Sequence, residues 1–119
     1  MTPQELKERT TTFAVNVVKF CRDLRRLPEA RHIADQLMDS ATSTASNYRA
    51  ACRARSHREF ISKIAVSVEE ADESVGWFEV IIRAELATGE VPAALQREAC
   101  ELLAILAASR RTAESRKKN

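Results

Sequence analysis

The chain has 119 residues, a net charge of +2, 45% hydrophobic and 30% charged residues, and two Gly and three Pro. This length suits one domain that buries roughly two-thirds of its unfolded surface, and so little Gly and Pro argues against a β-rich or loop-rich fold. A net charge this small does not mark a nucleic-acid binder, so any such role rests on local clustering of charge.

The prolines and Gly89 divide the chain into four helical segments, expected at about residues 3–26, 28–53, 57–88 and 92–112. Thr2-Pro3-Gln4-Glu5 opens the first with a capping box and a Pro at the first helical position. Leu6, Thr10, Phe13, Val17, Cys21 and Leu24 then recur every three or four residues, one face of a helix. Leu27-Pro28 ends it, because Pro disfavours helical geometry at the preceding residue.

The second segment places Ile33, Leu37, Ala41, Thr44, Tyr48 and Ala51 inward. Its stretch Ser40–Ser56 contains neither Gly nor Pro, is small and polar in its first half, and carries Arg49, Arg53 and Arg55 in its second. Small side chains where Leu is usual imply that another helix backbone comes close. Ser56-His57-Arg58-Glu59 is a second capping box and restarts the helix. The third segment turns Phe60, Ile64, Val68, Ala71, Val75, Phe78 and Ile82 inward, with Gly89 as its expected terminator. Val91-Pro92 opens the fourth, with Leu95, Ala99, Leu102 and Leu106 inward, and residues 113–119 read as a disordered tail. Short connections between such helices predict an all-α, antiparallel up-down-up-down four-helix bundle.

Val66, Glu70, Glu73, Trp77 and Val80 form a second face on the third helix. Either the fourth helix or the tail covers it, or it is a subunit interface. Arg49, Arg53, Arg55 and Arg58, with Lys63 one turn on, gather where helices two and three join, with no acid between Asp39 and Glu59. Arg holds phosphate through its planar fork, so this tip is the candidate nucleic-acid site. The competing reading pairs these cations with Glu69, Glu70, Asp72 and Glu73 of this or a neighbouring subunit, or leaves them solvated. If the helices turn near residue 55, Asn47 faces Lys63, and Ser43 and Ser46 come within reach of Glu69 or nearby backbone. An inter-helix polar layer of Asn47, Lys63 and Glu70, or an interface including Ser43, Glu73 and Trp77, is the expectation.

Cys21, Cys52 and Cys100 are odd in number, widely spaced and without a C-x-x-C pair, which reads as reduced core thiols in a cytoplasmic protein. The N-terminal segment lacks the apolar core of a signal peptide, and the longest apolar run, Leu102–Ala108, is far too short to span a bilayer. No Glu-x-x-His motif supports a di-metal site, no G-x-S-x-G elbow supports a serine hydrolase, and no Gly-rich loop cradles phosphate. No cofactor, small-molecule substrate or enzymatic activity is expected.

The combination of Gln36–Ser40, Ser43, Ser46-Asn47-Tyr48-Arg49-Ala50, Arg55-Ser56, Glu59-Phe60-Ile61, Lys63, Glu69–Glu73 and Trp77 resembles a bacterial four-helix-bundle family. Its members include proteins encoded by intervening sequences in 23S ribosomal RNA genes. It is also similar to the accessory variability determinants of diversity-generating retroelements. Three departures stand out: Arg49-Ala50-Ala51 replaces the usual Ala-Glu-Gly, Ala45 replaces a Pro ahead of the Ser-Asn pair, and the connection around Pro28 is shorter than usual. The resemblance implies a ring-like homo-oligomer, with a pentamer favoured, and no enzymatic activity. In its second branch it also implies RNA or DNA and a reverse transcriptase as partners. A structural scaffold or protein-partner module without nucleic-acid binding is the alternative.

Overall fold

A computed structural model describes residues 1–116, which form helices α1 (Pro3–Leu24), α2 (Arg31–Cys52), α3 (His57–Arg83) and α4 (Glu90–Arg116). A single 3-10 turn, Pro28–Ala30, precedes α2, and the described residues contain no strand. The helices pack into a compact bundle 51 × 21 × 20 Å in extent.

The helix ends follow local chemistry, with instructive departures. Thr2 Oγ1 accepts from the Glu5 amide at 3.1 Å and Glu5 Oε1 accepts from the Thr2 amide at 2.9 Å, completing the first capping box. Helix α1 stops at Leu24 rather than 26, because Leu27 must adopt an extended backbone (φ −87°, ψ 117°) ahead of Pro28. Pro28 opens the 3-10 turn, and α2 begins three residues later than expected with no side-chain cap. At the next restart only half of the capping box forms: Ser56 Oγ accepts from the Glu59 amide at 3.0 Å, while Glu59 Oε2 turns to the Arg55 amide.

Helix α3 ends at Arg83, five residues short of expectation, and Gly89 does not close it. Glu85 takes the left-handed conformation (φ 57°), and the Leu86 amide returns to the Ile81 carbonyl at 3.0 Å. This is the helix-closing geometry usually given to Gly, here imposed on a residue with a Cβ. Gly89 (φ 90°) instead serves the turn into α4. Helix α4 starts at Glu90, with Pro92 tolerated in its first turn. It then runs past 112: residues 113–116 are helical, with Ala113 buried, and residues 117–119 of the expected tail lie outside the described residues.

Phe13 and Val17 of α1, Leu37 of α2, Ile64, Phe78 and Ile81 of α3, and Leu102 and Leu106 of α4 fill the core. Between α2 and α3 the buried surface is made of smaller groups: Ser40, Ala41 and Thr44 face Ser67, Ala71 and Ser74. Ser67 and Ser74 displace Phe60, Val68 and Val75 from the expected inner face of α3, leaving those three half-buried. The hydroxyls are all satisfied. Ser40 Oγ and Ser74 Oγ are 2.8 Å apart, and Ser67 Oγ donates to the Thr44 carbonyl at 2.8 Å. Ser74 Oγ also reaches the Glu70 carbonyl, and Thr44 Oγ1 donates to the Ser40 carbonyl. No buried side-chain N or O lacks a partner among the described residues.

Two predictions follow from these ends and this seam. Glu85→Gly relieves the left-handed backbone and raises unfolding free energy by about 0.5–1 kcal/mol in urea melts. Ser74→Ala loses about 1 kcal/mol, whereas Ser74→Leu overfills the seam and loses about 1–3 kcal/mol.

Candidate nucleic-acid interface

The basic tip is built by the α2–α3 connection. Arg49 lies in the last turn of α2, Arg53 caps that helix, Arg55 sits in the turn, and Arg58 is in the first turn of α3. All four arginines are exposed, and Lys63 is half-buried one turn further on. Arg55 stands 3.9 Å from Glu59 with its side chain 92% exposed, a weak surface pair. Arg49, Arg53, Arg58 and Lys63 make no ion pair among the described residues. Arg49 and Arg53 also lie beside the partial negative charge at the end of α2.

The end of α4 joins the same tip. His57 Nε2 is 2.8 Å from the Ala113 carbonyl oxygen, tying the start of α3 to the last turns of α4. His57, Phe60, Ser109, Thr112, Ala113 and Arg116 line a cleft of about 470 Å³ between them. Arg111 and Arg116 are exposed there, while Arg110 pairs with Glu114 at 3.2 Å. These cations lay partly in the segment expected to be a disordered tail. The signal for order was present in the spacing Leu102, Leu106, Ser109, Ala113, which continues one helical face to the tip.

The expected polar layer takes a different form. Asn47 Nδ2 donates to the Ser43 carbonyl oxygen and to Ser43 Oγ, both at 2.9 Å, and so bonds within its own helix rather than to Lys63 or Glu70. The expected register of α2 against α3 is close to the observed one. Asn47, however, is only half-buried, and the preceding turn of its own helix satisfies its amide. Ser46 likewise bonds to the Ser43 carbonyl. The layer that does cross between helices consists of Ser40, Thr44, Ser67 and Ser74.

Glu70 meets the seam only through its backbone. Its carboxyl is held above the usual carboxylate range, first by partial burial and then by Glu73, Glu69 and Asp39. Trp77 is half-buried, donates from Nε1 to Glu73 Oε1 at 3.3 Å, and meets the edge of His32 with ring centroids 6.5 Å apart. The start of α2 therefore flanks Trp77, and Val66 and Val80 stay exposed on the same helix.

The cysteines divide by environment. Cys21 is buried and its thiol is pushed up to about 12, mainly by burial; Cys52 is half-buried beside Tyr48; Cys100 is exposed, not a core residue. Ser56 spends its hydroxyl on the cap of α3, and no group of three or more His, Cys, Asp or Glu could hold a metal ion among the described residues. No described helix is long and apolar enough to cross a membrane.

With four helices, the small-residue seam and the basic tip in place, the comparison with known families is decisive. The model of the 23S rRNA-intervening sequence protein family matches residues 4–108. The chain belongs to that family. A structural relative is the crystal structure, at 1.70 Å, of a protein of unknown function from the S23 ribosomal protein family of Bacteroides thetaiotaomicron. The two share 28% identity and a TM-score of 0.86, over 93% of this chain and 99% of the other. No curated protein matches the chain. The family match stops at residue 108, so Arg110, Arg111 and Arg116 of this family member lie beyond it.

Asn47→Ala is expected to lose only about 0.5–1.5 kcal/mol, the worth of an ordinary hydrogen bond, and to leave helix register unchanged by NMR. The raised Glu70 carboxyl predicts the sign of a pH effect. A folded-state value above the unfolded one means that native Glu70 binds a proton more readily, so its contribution to stability falls as pH rises through the carboxylate range. Glu70→Gln should therefore raise the melting temperature at pH 7 relative to wild type, with the gain shrinking toward pH 4.

Proposed function

We propose that this chain is a non-enzymatic assembly protein whose basic tip binds nucleic acid. Its protomer is read as an antiparallel up-down-up-down bundle. The contacts that support this reading are Ser40 with Ser74, Ser67 with Thr44, Arg9 with Glu98, and His57 with Ala113. Protomers associate into a ring, with five copies the favoured number, as the family resemblance implies.

The observation that carries nucleic-acid binding is the lack of compensation at the tip. Arg49, Arg53 and Arg58 are exposed with no carboxylate partner among the described residues, and Glu59 is engaged by Arg55. Within the protomer the acidic run lies too far along α3 to neutralise them. Glu69 lies eleven residues beyond Arg58, about 16 Å along α3 at 1.5 Å per residue. That exceeds the screening length of about 8 Å at physiological ionic strength. A phosphate backbone supplies the missing charge, and its capture releases counterions. The α4 cations at the same end widen the surface.

The competing reading is a scaffold in which the arginines serve only stability. The Arg55–Glu59 pair and the position of Arg49 and Arg53 at the negative end of the α2 dipole favour it.

Light scattering should give a mass well above the 13.3 kDa protomer, near five times that value. A monomer at micromolar concentration overturns the assembly. Binding to a structured RNA should weaken at least tenfold between about 50 and 200 mM salt. Arg53→Glu combined with Arg55→Glu should weaken it at least tenfold more at fixed salt. Lowered melting temperature without any RNA binding by the wild type selects the scaffold.

A further inference from the structure

Helix α3 carries an outward stripe that the protomer leaves without a partner. Val66, Glu69, Glu73, Gly76 and Val80 follow one another at spacings of three and four, so they share one side of the helix. All five are exposed, with Val66 36% and Val80 42% accessible. Gly76 is the informative member. It lies inside a 27-residue helix, has no left-handed backbone to justify it, and a Cβ placed there would meet nothing within 4 Å. Glycine in such a place weakens a helix relative to alanine. Neither packing nor conformation within the protomer accounts for it, whereas close approach of a second backbone does. The exposed valines Val66 and Val80, on the same side of the helix as Gly76, are what such an approach would bury.

The charge of the stripe says what approaches. Glu69 and Glu73 make no ion pair among the described residues, and the neighbouring Glu70 carboxyl is already raised by burial and by these two acids. A second surface of the same chain has the complementary pattern. On the outer side of α1, Val15 is 46% accessible, and Lys19 and Arg22 follow it at four and seven residues, exposed and without an ion pair among the described residues. Val66, Glu69 and Glu73 stand at zero, three and seven. Thus each protomer presents a valine with two acids on α3 and a valine with two bases on α1.

We infer that the Val66–Val80 stripe of α3 is the docking surface for a second copy of this chain, which presents Val15, Lys19 and Arg22 of its α1. The contact is head-to-tail: the two surfaces differ, each protomer offers both, and repetition builds the larger assembly. Valines supply the apolar contact, opposite charges fix direction and register, and Gly76 admits the partner helix. This inference rests on the assembly reading above and locates its interface.

The test is a charge exchange read by light scattering, with helicity followed by circular dichroism. Glu69→Lys with Glu73→Lys should reduce the mass to that of the protomer at unchanged helicity, by setting lysines against Lys19 and Arg22. Adding Lys19→Glu and Arg22→Glu to the same chain should restore the wild-type mass. Gly76→Arg supplies an independent disruption that leaves the charged pairs in place, and it should likewise give the protomer mass. A wild-type oligomer whose mass survives both Glu69→Lys/Glu73→Lys and Gly76→Arg overturns this interface while leaving the assembly reading intact. Disruption that the fourfold exchange fails to reverse overturns the pairing with α1. A monomeric wild type overturns the assembly reading and this inference together.

Discussion

Close approach of α2 and α3 is the constraint on which the rest of the molecule depends. Ser40, Ala41 and Thr44 against Ser67, Ala71 and Ser74 leave no long side chain to hold the two backbones apart. Small groups alone contribute little apolar burial, and buried hydroxyls are costly unless bonded. The seam works because each hydroxyl finds an oxygen: its own helix, the facing serine, or the facing backbone. Such a set of bonds is met in one axial register. Sliding α3 by one turn would separate Ser40 from Ser74 and leave Ser67 without the Thr44 carbonyl. The large residues Phe13, Phe78, Leu37 and Leu102 supply the bulk of the burial, but they tolerate repacking more readily than the hydroxyls do.

Register in turn sets the charge map. With α2 and α3 locked along their length, the connection at residues 53–56 is pinned at one end, and its arginines are held together there. The His57–Ala113 bond brings the last turns of α4 to the same place. The acids of α3 are displaced along the bundle, where α2 adds Asp39. A nearly neutral chain therefore carries a positive end and a negative flank, a separation that its net charge conceals.

Much of this was legible in the residues. The spacing of apolar positions defined four helices, and the boxes at Thr2 and Ser56 marked two starts correctly. The small-residue stretch of α2 announced a close neighbour, and family membership was visible in the Ser-Asn, basic-turn and acidic-run pattern. What escaped depended on competition between local partners. Asn47 had the Ser43 carbonyl one turn away in its own helix and bonded there instead of across to α3. Glu85 adopted the closing conformation that Gly89 was expected to supply, because Leu86 returns to Ile81 once the helix ends. Serines 67 and 74 did not figure in the expected inner face of α3, since their buried partners on α2 are invisible to a one-helix periodicity. The α4 end was discounted for its charges although its apolar spacing persisted to Ala113.

The uneven burial of the cysteines has a practical meaning. Cys21 is sealed in the core with a thiol reluctant to ionise, Cys52 is half-covered beside Tyr48, and Cys100 faces solvent on α4. The thiolate is the reactive species, so burial withholds Cys21 and accessibility selects Cys100. Under oxidising conditions, two molecules could be joined through that residue as a covalent dimer. Kept reduced, the same thiol is a natural point for attaching a fluorophore or spin label to the side of the bundle without altering its core.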